Sequence, residues 1–220
     1  MSGSTEREKR AAAEAGAALV SEGMRVGLGT GSTIAWLLPV LAARAVKDVV
    51  YVATSPATEQ VAREHGLDVR SFTSFGRLDL AIDGADQIAP TGWLVKGGGG
   101  AHTREKVVAA AAERFVVIAS SNKLVGGLTS PIPLELLPFG LESTLRLLEP
   151  VALRSAPPTP DGGLLADYLG PLEDPAELAA RLSQTPGVVE HGLFPPQLVS
   201  EILVAVGSSV RTLRPGSRSS

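Results

Sequence analysis

Apolar positions along this 220-residue chain change their period repeatedly, and each change predicts an element. Residues 5–21 place alanines behind a charged start and predict a helix ending at Gly23. Residues 24–28 form a short apolar run entering a glycine loop, the pattern of a buried strand. From Ser32 onward, Ile34, Trp36, Leu37, Val40 and Leu41 recur at helical spacing, and Pro39 is expected to kink or shorten that helix. Residues 49–53 predict a second strand, followed by a helix over 56–65 closed by Gly66. Residues 78–82 and 93–95 predict strands, 101–114 a helix, and 115–119 a fifth apolar strand. Strand and helix alternating in this way implies a parallel sheet with helices on its faces.

The second half differs. Twelve of the 16 prolines lie between Pro131 and Pro196. Short apolar segments at 151–153, 164–166 and 188–189 flank one clear helix at 175–182, which predicts a small α+β insertion with antiparallel strands. Residues 198–206 are again strongly apolar and are expected to return to the main sheet. The tail from Pro215 is expected to be disordered.

Composition narrows the function classes. Hydrophobic content of 44% and charged content of 20% describe an ordinary globular protein. Net charge is −3, so no basic surface advertises nucleic acid and an anionic ligand must meet local positive sites. There is no cysteine, and the three histidines (His65, His102, His191) lack metal-ligand spacing, so no metal is expected. The N-terminal region has no apolar block suited to a signal peptide, and no run approaches a membrane span. A cytoplasmic protein without membrane partners is expected.

Four segments are candidates for chemistry. Gly27-Leu28-Gly29-Thr30-Gly31-Ser32-Thr33 joins the first strand to its helix, where open α/β sheets bind ligands. It is a poor dinucleotide fingerprint, since Ser32 stands where a third glycine is needed. Its hydroxyls and helix N–H groups suit a phosphate or sugar hydroxyls, while the bland reading is an N-cap by Ser32 over a tight turn. Thr54-Ser55-Pro56 repeats the geometry, there read as an N-cap with proline in the first turn. Asp83-Gly84-Ala85-Asp86 sets two carboxylates three residues apart after an apolar strand. They are either an Asx turn or a pair whose mutual repulsion readies one for proton transfer. Lys96 opens a run of four glycines before a helix carrying Arg104, Glu105 and Lys106. That run is either a flexible surface loop or a set of N–H groups that close around an anion. Lysines number only five, and Lys96 and Lys123 both stand at strand ends, where the alternative reading is a solvated surface.

Taken together these residues resemble one family, ribose-5-phosphate isomerase type A. The family's GxGTGST loop, DGAD turn, KGGG loop running into a REK helix, and S-x-K segment correspond to residues 27–33, 83–86, 96–99 with 104–106, and 121–123. Further on, Pro131-Ile132-Pro133-Leu134-Glu135 resembles its PLPVE segment. Asp161-Gly162-Gly163 with Asp167 resembles its DNGN…D hairpin, and residues 186–194 its PGVVxxGLF. The likeness covers nearly the whole chain in order. Gln87 replaces a usual Glu, and Gly162 and Leu164 replace the two Asn of the hairpin.

The resemblance implies an α/β fold, a Rossmann-like parallel sheet with helices on both faces over residues 1–128 and 199–220. A small inserted α+β (ferredoxin-like) domain would cover 129–198. It implies interconversion of ribose 5-phosphate and ribulose 5-phosphate through an enediolate, with no metal or cofactor, within the non-oxidative pentose phosphate pathway, by a homodimer or homotetramer. Glu105 is implied as the base. Asp83 and Asp86 would handle ring opening and hydroxyl protons, and Lys96 the oxyanion. Thr30, Gly31, Ser32, Thr33, Gly84, Ala85, Gly97, Gly98, Gly99 and Lys123 are implied to bind substrate, with Lys9 a further candidate. Glucosamine-6-phosphate deaminases and acyl-CoA transferases share this type of fold but lack the ordered DGAD and KGGG…REK set. A non-enzymatic sugar-phosphate sensor is the rival from another class.

Overall fold

The structure, a computed structural model, describes residues 2–74 and 76–215. In chain order its first half runs α1 (Ser2–Ala17), β1 (Arg25–Leu28), α2 (Ser32–Arg44), β2 (Val50–Ala53), α3 (Pro56–Glu64) and β3 (Leu78–Asp83). Two short strands, β4 (Gln87–Ile88) and β5 (Leu94–Val95), precede α4 (His102–Ala111) and the long β6 (Ala112–Ser120). There follow β7 (Ile132–Leu136), α5 (Leu141–Leu148), β8 (Val151–Leu153), β9 (Leu164–Tyr168), α6 (Pro175–Gln184) and β10 (Val188–His191). The last strands are β11 (Leu193–Phe194), β12 (Glu201–Val206) and β13 (Ser209–Leu213).

Six strands form the main sheet in the order β13-β12-β6-β3-β1-β2. All neighbours are parallel except the β12–β13 hairpin at the edge. Alternating residues serve opposite faces. Val116, Ile118, Leu203 and Ala205 join α1 and α2 in one core, while Phe115, Val117, Ala119, Ile202 and Val204 join Val108 and Ala109 of α4 in another. The apolar run at 198–206 does rejoin the main sheet.

A second, four-stranded sheet has the order β10-β7-β9-β8, every pair antiparallel. With α5 and α6 it makes a β-α-β-β-α-β unit of the ferredoxin-like kind around its own core of Ile132, Leu134, Leu136, Ala166, Leu178 and Leu182. Asp174 caps α6 through the N–H groups of Ala176 and Glu177, with Pro175 in the first turn.

Several expectations require correction. The alanines at 109–112 do not carry helix to 114. β6 begins at Ala112, because pairing of Leu78 with Ala112 and Leu80 with Arg114 extends the ladder and overrides helix propensity. The strand expected at 93–95 is not in the main sheet. It is paired with β4 through the Gly92 turn and with β11 on its other side, all antiparallel, since a link that short permits only a hairpin. The first helix ends at Ala17 rather than near Ser21. Pro39 leaves α2 continuous from Ser32 to Arg44. The carbonyl it deprives of a partner belongs to exposed Ala35 and faces water. Pro215 is seated against the Gly92 turn, and the rest of the expected disordered tail, 216–220, lies outside the described residues. Helix α5 and strands β4, β7, β11 and β13 have no counterpart in the expected elements.

Candidate active site

Three loops leave the carboxyl ends of β1, β3 and β6 and meet the glycine loop before α4 around a cleft of about 90 Å³. Thr30, Gly31, Ser32, Thr33, Gly84, Ala85, Asp86, Lys96, Gly97, Gly98, Gly99, Glu105 and Lys123 all line it. Asp83 lies beneath this lining, and Lys9 is not part of it; the Lys9 ammonium pairs with Glu6 at 2.7 Å on α1.

The hairpin of β4 and β5 brings the two acidic and basic segments together. Asp86 N–H donates to the Val95 carbonyl (2.8 Å), and Lys96 N–H donates to the Gly192 carbonyl (2.8 Å). A Cβ on Gly192 would lie 2.1 Å from the Lys96 carbonyl oxygen, so only glycine permits this approach. Gly29 is required for a similar reason, since a Cβ there would fall 1.8 Å from Oδ1 of Asp83.

The centre of the site is a buried cluster. Lys96 Nζ lies 2.9 Å from Asp83 Oδ2 and 3.0 Å from Glu105 Oε2, and donates to the Gly84 carbonyl at 2.7 Å. The three side chains are 3–5% exposed. Asp83 is fully engaged, since its Oδ1 also accepts from the N–H groups of Gly84 (2.7 Å) and Thr30 (3.2 Å). Glu105 is not. Beyond the Lys96 ammonium its Oε2 has no polar partner, and it is one of two buried side-chain atoms among the described residues that accept or donate no other hydrogen bond. The other is Nδ1 of His102.

Two carboxylates share one ammonium, and burial penalises every charge. Burial and then repulsion from Asp83 push Glu105 up to about 8, against the pull of Lys96. Burial raises Asp83 as well. For Lys96 burial works against the charge, but the two carboxylates outweigh it and hold the lysine above its ordinary value.

Asp86 is exposed at the cleft edge and its Oδ2 accepts from Gly98 N–H at 2.7 Å. At the opposite end, α2 begins after Gly31 with no side-chain cap, so its first N–H groups face the cleft beside Ser32 and Thr33. Ser32 is therefore not the N-cap. Lys123, in the turn after β6, forms no ion pair with any described residue. That turn is held by Glu8, whose Oε2 accepts from Ser121 N–H (2.9 Å) and hydroxyl (2.8 Å).

Thr30 turns its hydroxyl into a cluster with Thr54, Ser55 and Thr58 at 2.9–3.2 Å. Ser55 caps α3, as expected, by accepting from Thr58 N–H. Gln87 reads as a local anchor, donating to and accepting from the Thr129 backbone at 2.9 Å each. Gly162 sits at φ +87 in its turn, a conformation that suits glycine or asparagine.

Sequence reasoning missed the contacts that the second sheet makes with the glycine loop. Arg154 bonds the carbonyls of Gly97 and Gly98, Arg104 pairs with Asp161, and Glu135 accepts from Thr103 and Thr159. The signal was present in the spacing of Asp161 and Asp167, but no partner could be assigned to either.

Comparison with known proteins identifies the family. The family model of ribose 5-phosphate isomerase A (phosphoriboisomerase A) matches residues 50–208. Ribose-5-phosphate isomerase A of Caulobacter vibrioides is 43% identical over 227 aligned residues, covering 96% of this chain and 100% of the relative. The structure of ribose 5 phosphate isomerase A from Neisseria gonorrhoeae superposes with a TM-score of 0.91 at 30% identity, covering 96% of this chain and 98% of that one. A D-ribose-5-phosphate isomerase in complex with phospho-erythronic acid gives 0.90 at 30% identity, covering 96% and 99%.

Proposed function

The chain belongs to the ribose 5-phosphate isomerase A family and interconverts D-ribose 5-phosphate and D-ribulose 5-phosphate; we propose that Glu105 is the base of this isomerisation. The observation that carries the assignment is the buried carboxyl of Glu105 at the cleft wall, which shares one ammonium with Asp83. Its Oε2 has Lys96 Nζ at 3.0 Å as its one polar neighbour, and a carboxyl that competes with Asp83 for a single ammonium keeps a high proton affinity, so once ionised it can take a carbon-bound proton.

In the open-chain aldose, Glu105 takes the C2 proton. The C2–H electron pair becomes the C1=C2 bond, and the aldehyde π pair moves onto O1. Lys96 neutralises that oxyanion, a role that needs no metal. The O2 proton passes to O1 with Asp86 as carrier. The protonated Glu105 then returns its proton to C1 as C2=O forms. Asp83, held by three donors, serves to hold Lys96 and to keep the proton affinity of Glu105 high. The phosphate is held by the open N-terminus of α2, the hydroxyls of Ser32 and Thr33, and Lys123.

A coupled assay with ribose 5-phosphate tests the activity, and solvent deuterium exchange at C2 tests the base. Retention of wild-type exchange in Glu105→Gln would remove Glu105 from this role. Activity is expected to survive exhaustive dialysis against chelator; a loss restored by one divalent ion would replace Lys96 as the oxyanion partner.

We further propose that residues 129–198 act as a domain covering the glycine loop of a catalytic domain made of 1–128 and 199–220. An ionised sugar phosphate does not cross a lipid bilayer unaided and stays in the compartment where it is made, which supports a cytoplasmic enzyme. A homodimer or homotetramer is supported by exposed Val107, Leu137 and Val189 beside a groove of about 790 Å³, with Phe139, next after the groove residue Pro138, 92% exposed. Sedimentation over a dilution series checks this, and a monomer at every concentration would refute it.

A further inference from the structure

The hairpin motif at 161–167 has no part in the chemistry described so far, yet one of its acids holds the arginine that grips the glycine loop. Arg154 follows β8 and forms a two-pronged pair with Asp167 on β9, with Nε–Oδ2 2.8 Å and Nη2–Oδ1 2.6 Å. Its remaining nitrogen, Nη1, donates to the Gly97 carbonyl at 2.8 Å and the Gly98 carbonyl at 3.3 Å. Both side chains of the pair are about one-fifth exposed.

The consequence follows from peptide planarity. In a trans peptide the C=O and the following N–H point in opposite directions. The Gly97–Gly98 peptide is thus held at both ends, its carbonyl by Arg154 and its N–H by Asp86 Oδ2 at 2.7 Å. In the Gly98–Gly99 peptide the carbonyl is again turned to Arg154, so the Gly99 N–H is turned away from it. That N–H has no protein partner among the described residues, and Gly99 lines the cleft. Glycines without side chains cannot hold such an orientation unaided. Leu165, next to the pair on β9, supports the loop from below, where a Cβ on Gly100 would lie 2.5 Å from its Cδ1.

We infer that Arg154, oriented by Asp167, is a positioning residue for the isomerisation: it sets the two glycine peptides so that Asp86 is fixed and the Gly99 N–H faces the reacting end of the sugar. The guanidinium fork is needed because one group must serve a carboxylate and two carbonyls at once, which an ammonium cannot do with the same geometry. This rests on the active-site reading given above.

The test uses Arg154→Ala, Arg154→Lys and Asp167→Asn in the full chain, well below the melting temperature of each. Turnover should fall on the order of 10–100-fold, the scale of a small misplacement of reacting groups. KM and inhibition by inorganic phosphate should stay within about twofold, since the phosphate end is not touched. Amide exchange at Gly98–Gly100 should quicken, Arg154→Lys should not recover turnover, and added methylguanidinium should restore part of it to Arg154→Ala. Unchanged turnover would overturn the inference. So would a turnover loss that methylguanidinium leaves unmoved while loop exchange stays at the wild-type rate. If Glu105→Gln remained active while these effects held, the base assignment would fail and the positioning role would stand.

Discussion

Two lysines, the buried Lys96 and the partly buried Lys106, approach the same Phe194 ring, at 5.4 and 4.9 Å from its centroid, and behave in opposite ways. Lys96 faces Asp83 and Glu105, two acids for one ammonium. Lys106 faces one acid, Glu190 at 2.7 Å, and the imidazole of His191 at 3.3 Å. His191 Nδ1 accepts from Leu193 N–H, which leaves Nε2 to donate to Ser183. Burial and then the nearby ammonium push His191 down to about 4, so it is neutral near pH 7. Burial lowers Lys106. For Glu190 burial is outweighed by Lys106, and its carboxyl lies below its ordinary value. The second cluster is therefore charge-balanced and joins α4 to β10. The first carries one acid too many, and the excess appears as a proton held by Glu105 at neutrality. Adjacent residues on one helix thus belong to an unbalanced cluster at the cleft and a balanced one between elements, and the count of acids per lysine separates the two.

The strongest way to break the comparison is Glu105→Gln. General base catalysis is worth roughly 10²–10⁴-fold, so kcat should fall by about that factor while inhibition by a sugar phosphate changes little. In the wild type kcat/KM should rise with pH as Glu105 ionises and level off above about 8. Stability moves the other way. Between the ordinary glutamate value of 4.5 and about 8 the folded chain keeps a proton that the unfolded chain has released. The contribution of Glu105 to stability is whole below that window and is lost as pH rises through about 8. Glu105→Gln should flatten the decline in denaturation curves taken from pH 5 to 9. An unaltered decline would show that Glu105 is already ionised at neutrality.

Lys106→Met is next in size. It leaves Glu190 half-buried with no counter-charge, a change expected to cost about 2–3 kcal/mol, less than for a fully buried pair. For a chain of this length that is a fall in Tm of about 5–10 °C. Adding Glu190→Gln should recover most of it, and kcat should stay within about threefold throughout. A hundredfold loss of kcat at unchanged Tm would mean that Lys106 takes part in the reaction and that charge balance does not separate the two lysines.

The division was partly legible in the sequence. Scarce lysines, the DGAD turn and the glycine run before Glu105 identified which groups meet, because each lies where a strand of an open sheet ends. The alternation of apolar runs also located every strand of the parallel part of the main sheet. What could not be read was set by distant pairing. Nothing local in Ala112, Glu113 and Arg114 opposes helix; the ladder with β3 does. Strand β5 looked like its neighbours until the Gly92 turn bound it to β4. The partners of Asp161 and Asp167 lie 57 and 13 residues away, and the balance around Lys106 depends on Glu190, 84 residues on. Spacing arguments do not reach that far.

A third lysine sharpens the contrast with the smallest effect. Lys123 is half-exposed at the cleft edge, and no described acid pairs with it. It neither raises the proton affinity of a neighbour nor ties two elements together, so its charge is left for the ligand. Lys123→Ala should raise KM by about tenfold, the low end for a charge-assisted bond because water screens this position. kcat should hold within about twofold, since the phosphate bond persists equally in substrate and transition state. Screening supplies a second reading. Raising salt from low to physiological strength should raise the wild-type KM and affect the variant less, because one of the attracting charges is gone. Steady-state kinetics at two salt concentrations measures both. If kcat falls and KM does not, Lys123 contacts the reacting end of the sugar, and the phosphate is held by the α2 N-terminus alone.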